Sequence, residues 1–451
     1  MSLSHLIQPP RLWPADSASS RRVTWLELFF DLIFVAAVAQ VDTPLSVNYS
    51  WPGVFRFLAF FVLIWWAWVG HTLYSTRFDT DDVVQRLLTL IQMFAVAAMA
   101  ANAKDAFDSR YSAGFAAAYA AMRLVLVFQY LRARRVPKSR QLTTHYAIGF
   151  GTAAVLWVVS ALVDPPARYW LWAVALTIDL GTPFLAVHHA EEIPPDAAHL
   201  PERFGLFTII LLGESIVAVM HGMESQESWS LSAALSAFQG MGIAFCFWWW
   251  YFDGAAGAAE RPIRNGRQAM LFHVWNYAHL PLYLGIALAA VGVKHVVSLS
   301  FNAHLHPIEA WILCASVALT MASLTAIGTT SEAAQRCSWL TVQSVSQVCV
   351  AALALLAGFV GHRIPPVLLI TVLTALSVLQ VGFSLRGKWT DPNVVLRPDD
   401  EVPAFGTQSG AEHCRKPGAK MPSRNHKSIH LFWPAVLEEG KGSNATQSTC
   451  F

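Results

Sequence analysis

The chain has 451 residues, of which 55% are hydrophobic and only 13% charged, with a formal net charge of +2 and a mean hydropathy of +0.43. Water-soluble domains carry about a quarter of their residues as charges, so a soluble fold is excluded and the composition points to an all-α, polytopic transmembrane bundle. The near balance of charge leaves no electrostatic footprint for nucleic acid.

Residues 1–22 form a polar leading segment with no apolar core and small-residue cleavage site, so the first span is expected to insert uncleaved. Apolar runs then recur at lengths that cross a bilayer, about 17–25 residues each. Twelve are found, roughly at 24–41, 53–74, 83–102, 112–131, 145–163, 169–189, 204–221, 231–252, 268–293, 307–328, 338–360 and 365–386. The joints between them hold breakers and charges, as in Asp164-Pro165-Pro166 and Gly361-His362-Arg363. Basic residues alternate from joint to joint. One set holds Arg21, Arg22, Arg77, the 132–140 cluster, Arg203, Arg261, Arg264, Arg267, Arg336, Arg386 and Lys388. The other holds only Lys104, Arg110, Arg168, Lys294 and Arg363. That bias of about threefold predicts both termini in the cytoplasm and insertion in the inner (plasma) membrane. Residues 389–451 turn polar and lose periodicity, and read as a disordered cytoplasmic tail.

An internal offset suggests two halves, 23–203 and 204–388. Asp31 and Glu214 are 183 positions apart, as are Trp65-Trp66 and Trp248-Trp249. Six spans per half would give a parallel six-plus-six pseudo-repeat, with a solute path between the halves. The tryptophan clusters themselves read first as headgroup-level aromatic belts.

Ionisable residues inside apolar spans are costly and normally serve a purpose. Glu27 and Asp31 are one helical turn apart on one face of the first span. With Asp179 and Glu214, they are the candidate lining of an ion or solute path. Arg123 and Arg86 are the candidate counter-charges, Arg123 for Asp31 and Arg86 for Glu27. His188-His189-Ala190-Glu191-Glu192 has metal-ligating residue types, but adjacent helical histidines point about 100° apart, and no metal site is assigned. His273 and His279 read as hydrogen-bonded bundle residues. Walker, GxSxG, HExxH and kinase patterns are missing, so neither enzymatic activity nor a cofactor is expected. The expected partners are the lipid bilayer and a small ion or solute; the sequence says nothing of oligomeric partners.

Two blocks carry a family resemblance. The first is Thr24, Glu27, Leu28, Phe29, Phe30, Asp31, Leu32, Phe34 and Val35. The second is Glu202, Arg203, Phe204, Ile209, Leu211 or Leu212, Gly213, Glu214 and Ser215. Together they resemble the bacterial low temperature requirement A (LtrA) proteins over roughly residues 21–388. The resemblance implies a multi-pass membrane protein with a role in growth in the cold, and it names no molecular activity. The first block is also similar to the opening helix of two-repeat potassium channels, with Phe30 where their Phe-Ser-Asp motif has serine. Ion- or proton-coupled transport is therefore the functional expectation, with a passive cation channel or a non-transporting membrane sensor as alternatives.

Overall fold

A computed structural model describes residues 8–13, 21–103, 105, 109–186, 193–226, 230–255, 257–301, 303–331 and 338–389. The 188–192 motif and the tail beyond 389 lie outside the described residues.

Among these, twelve α-helices follow one another. They are α1 (Trp25–Val47), α2 (Trp51–Arg77), α3 (Val83–Ala103), α4 (Ser109–Ala133), α5 (Arg140–Leu162) and α6 (Ala167–Leu185). The second set is α7 (His199–Glu224), α8 (Leu231–Trp249), α9 (Gly266–Ser298), α10 (Pro307–Thr329), α11 (Ser338–Val360) and α12 (Pro366–Trp389). Eleven of them are long and apolar enough to cross a bilayer. The exception is α6, 19 residues long, whose apolar run is broken by the buried Arg168 and Asp179.

Local chemistry starts these helices where the chain needs them. Thr24 caps α1 in a capping box with Glu27, Ser50 caps α2 with Pro52 in its first turn, and Asn265 caps α9. A π-turn, Trp250–Gly254, ends α8 and keeps Trp250 and Tyr251 buried.

Two helices form the interior. From Phe60 to Arg77 almost every residue of α2 is buried, and α9 is buried over most of its length. Where α9 meets α10, a β-carbon on Gly285 would lie 3.0 Å from both Ser316 O and Thr320 N, so only glycine lets the two backbones approach. Large apolar side chains such as Phe29, Phe55, Phe94, Phe128 and Phe238 cover the outside, as lipid contact requires.

The main packing between the first six helices and the last six runs through α1 and α2 on one side and α7 and α9 on the other. The sequence boundary at 203/204 falls inside α7, so Arg203 belongs to a span of the second set rather than to a joint. The 183-residue offset does not pair like environments. Trp65, Trp66 and Trp68 are core residues at 0–1% exposure, whereas Trp248 is 37% exposed. The belt reading of the first cluster is therefore corrected. Its indoles pack among helices because α2 is itself enclosed.

One short antiparallel ladder lies outside the helices. Arg11 and Leu12 pair with Asp79 and Phe78, laying the leading segment against the turn between α2 and α3.

Candidate functional site

The two acids of α1 meet a single arginine of α7. Arg203 donates from Nε to Asp31 Oδ2 (3.3 Å) and from Nη2 to Asp31 Oδ1, and from Nη1 to Glu27 Oε1 (3.4 Å) and Ser75 Oγ (3.1 Å). Trp68 Nε1–H donates to Asp31 Oδ1 at 2.7 Å, and His199 Nε2 lies 3.3 Å from Glu27 Oε2. Asp31, Arg203, His199 and Trp68 are all fully buried.

Glu27 forms the outer edge of this node. Its Oε2 accepts from Thr24 N–H (2.9 Å) and the Thr24 hydroxyl (3.0 Å), while Arg21 reaches its Oε1 at 3.5 Å and donates to Ser75 O at 2.7 Å. The same carboxylate thus completes the helix cap and takes part in the buried ion cluster. Two carboxylates face two guanidiniums, so formal charge balances in a setting where an unpaired ion would be very costly. Above the node, Trp68 packs on Phe207 (4.3 Å) and Phe204 (4.8 Å). Phe204 in turn meets Trp275 and His279, each at 4.7 Å. His279 is fully hydrogen-bonded, through Nδ1 to Trp275 O (2.7 Å) and Nε2 to Tyr251 Oη (3.0 Å), as the sequence suggested.

The expected counter-charges are corrected. Arg123 pairs with Asp179, not Asp31, at 2.9 Å with both side chains fully buried. Its Nη2 donates to Tyr119 Oη (2.7 Å), and Gly70 of α2 makes room for it: a β-carbon there would lie 2.7 Å from Arg123 Nη1. Arg86 is exposed and holds Asp81 by two hydrogen bonds (2.8 and 2.9 Å), well away from Glu27. Those bonds keep the Asp81 carboxyl below the usual carboxylate range.

Glu214 is not the equivalent of Asp31 in depth. Asp31 is six residues into α1 and Glu214 fifteen into α7, half-buried and within electrostatic reach of Asp42, Lys294 and His221. A different regularity appears instead. Asp42 follows Asp31 by eleven residues on α1, and Glu214 follows Arg203 by eleven on α7. Eleven residues are three helical turns, so each helix shows both of its charges to the same side, about 16 Å apart. The α1–α7 seam therefore has one charged layer at Asp31–Arg203 and a second at Asp42–Glu214, where Lys294 donates to Ser46 Oγ (3.4 Å).

The acids and the arginine at the centre of the node come from the two sequence blocks, with Asp31 and Arg203 172 positions apart in the chain and in contact in the fold. Residues 22–380 match the family described as bacterial low temperature requirement A protein (LtrA). The chain belongs to that family. The chain is also similar to the uncharacterized protein RA0937 of Rhizobium meliloti (strain 1021), at 30% identity over 297 residues, 61% of this chain and 70% of that protein. Both LtrA blocks thus converge on one ion cluster. Sequence reasoning missed Arg203 as the shared partner because it was counted with the basic joints, although the Glu202-Arg203-Phe204 motif marked it. It also missed Trp68, Ser75 and His199. The Thr24-x-x-Glu27 spacing was a readable capping signal; no local signal marked the other three.

Proposed function

We propose that this LtrA-family protein couples movement of a proton or small cation to transport of a small solute in the inner (plasma) membrane, with both termini cytoplasmic. One observation carries this reading: two carboxylates of α1 share one arginine of α7 at the junction between the first six helices and the last six. Protonating Asp31 or Glu27 removes one negative charge and leaves Arg203 to the other acid. The attraction between α1 and α7 then changes with proton occupancy, which is what a coupled rearrangement needs. The second charged layer at Asp42, Glu214 and Lys294 places a counterpart near the opposite end of the same seam, with Val35, Val38, Phe207 and Leu211 between the layers. The path would follow this seam, and no enzymatic step or cofactor enters the reading.

Purified protein reconstituted in liposomes loaded with a pH-sensitive dye tests it, with a potassium diffusion potential as the driving force. Wild type is expected to acidify the lumen above empty liposomes. Asp31→Asn and Glu27→Gln, which hold each site in its neutral form, should lose most of that signal. Equal rates above empty liposomes in wild type and both variants would remove the node from proton movement.

A further inference from the structure

A second polar feature lies apart from the α1–α7 seam, along α4. Ser112, Tyr119, Arg123 and Tyr130 are spaced by seven, four and seven residues, so all four fall on one stripe of the helix. At the end of this stripe where α1 begins, Arg132 pairs with Asp82, and both hold the leading segment: Gln8 N–H donates to Asp82 Oδ2 (3.1 Å), and Arg132 donates to Gln8 O. Deeper in stands the Arg123–Asp179 pair.

Between and around these pairs, polar atoms are buried without a hydrogen-bond partner among the described residues. They include Tyr74 Oη, Tyr130 Oη and Arg123 Nη1. Tyr74 and Tyr130 meet edge to face at 5.2 Å, with Tyr74 in electrostatic reach of Asp82 and Arg132 and Tyr130 in reach of Arg123. These atoms therefore form a series running inward from the Asp82–Arg132 pair. Buried polar groups that lack a protein partner are normally satisfied by ordered water, and leaving three of them dry would cost several kcal/mol. The series joins a donor (Arg123) to two hydroxyls that both donate and accept, the set a file of water molecules needs.

We infer that a file of internal water enters beside Asp82 and Arg132, passes Tyr74 and Tyr130, and ends on Arg123. From Arg132 to Arg123 the helix rises about 14 Å, a length that on the order of four or five waters in file would span at hydrogen-bond spacing. The file lies inside the first six helices, under the leading segment Gln8–Trp13. It does not depend on the protein transporting anything, since hydration is a property of the fold.

X-ray hydroxyl-radical footprinting of the full-length protein in lipid nanodiscs, read by mass spectrometry, tests it. Radicals form from bound water, so buried side chains touching internal water are labelled despite zero exposure. Tyr74, Tyr130, Tyr251 and Tyr283 are all 0% exposed. The Tyr251 hydroxyl is bonded to His279, and the Tyr283 hydroxyl donates to Phe204 O at 2.9 Å. Tyr74 and Tyr130 should label about tenfold faster than Tyr251 and Tyr283, as contact with ordered water requires. Tyr130→Phe should slow labelling of Tyr74 while leaving the two reference tyrosines unchanged. Equal wild-type rates at all four tyrosines would overturn the inference, whatever the liposome assay shows for charge movement.

Discussion

Arg203 is the residue on which the buried charge balance turns. It satisfies both acids of α1 and reaches α2 through Ser75. Replacing it with alanine leaves Asp31 buried with no cation and Glu27 with Arg21 as its remaining guanidinium, and removing one partner from a buried ion pair costs about 3–5 kcal/mol. Arg203→Ala should therefore lower the melting temperature of detergent-solubilised protein sharply. Arg203→Lys should recover part of that loss, because a point ammonium cannot fork across two carboxylates. Arg86→Ala is the matched control, since the Arg86–Asp81 pair is solvent-exposed, and its melting temperature should stay at the wild-type value. Gly70 tests the second ion pair. A methyl group 2.7 Å from Arg123 Nη1 must displace the guanidinium, and Gly70→Ala should destabilise by about 1–3 kcal/mol, as overpacking does.

At the scale of single elements, the start of α1 does two jobs with one side chain. Glu27 closes the capping box with Thr24 and faces Arg203 with its other oxygen. Thr24→Ala removes the hydroxyl that Glu27 accepts from, and should cost about 1 kcal/mol with recovery in Thr24→Ser, read as unfolding midpoints. Most of these elements were legible in the sequence. Twelve apolar runs were expected, and among the described residues twelve helices are found, eleven of them long and apolar enough to cross, because a span must satisfy its own backbone in lipid and therefore declares itself by length and hydropathy. What was not legible is which face of each span meets which neighbour. The Trp65-Trp66-Ala67-Trp68 cluster looks the same as a lipid belt or as a core strip. Only the enclosure of α2 by its neighbours, α1, α4 and α7 among them, decides for the core.

For the whole molecule, α6 sets the parity of the chain. It is the one helix among the described twelve that falls short of the apolar length of the others, yet its Asp179 is bound to Arg123 and its Arg168 donates to Ser160 O at 2.9 Å. If α6 crosses with the rest, both termini lie on one side; eleven crossings would separate them. Membrane-impermeant thiol labelling of single cysteines introduced near each end, on a cysteine-free background, should report both ends on the cytoplasmic side. Hydropathy, helix caps and the alternation of basic joints are local properties, so the chain alone determined the number of helices, their approximate limits and the presence of costly acids in the first span. The pairing of those acids is a property of helices 172 residues apart in sequence. Arg203 answers Asp31 and Arg123 answers Asp179 only because packing brings particular helix faces together at matching depth. Electrostatic complementarity among several arginines is degenerate until tertiary structure removes all but one choice.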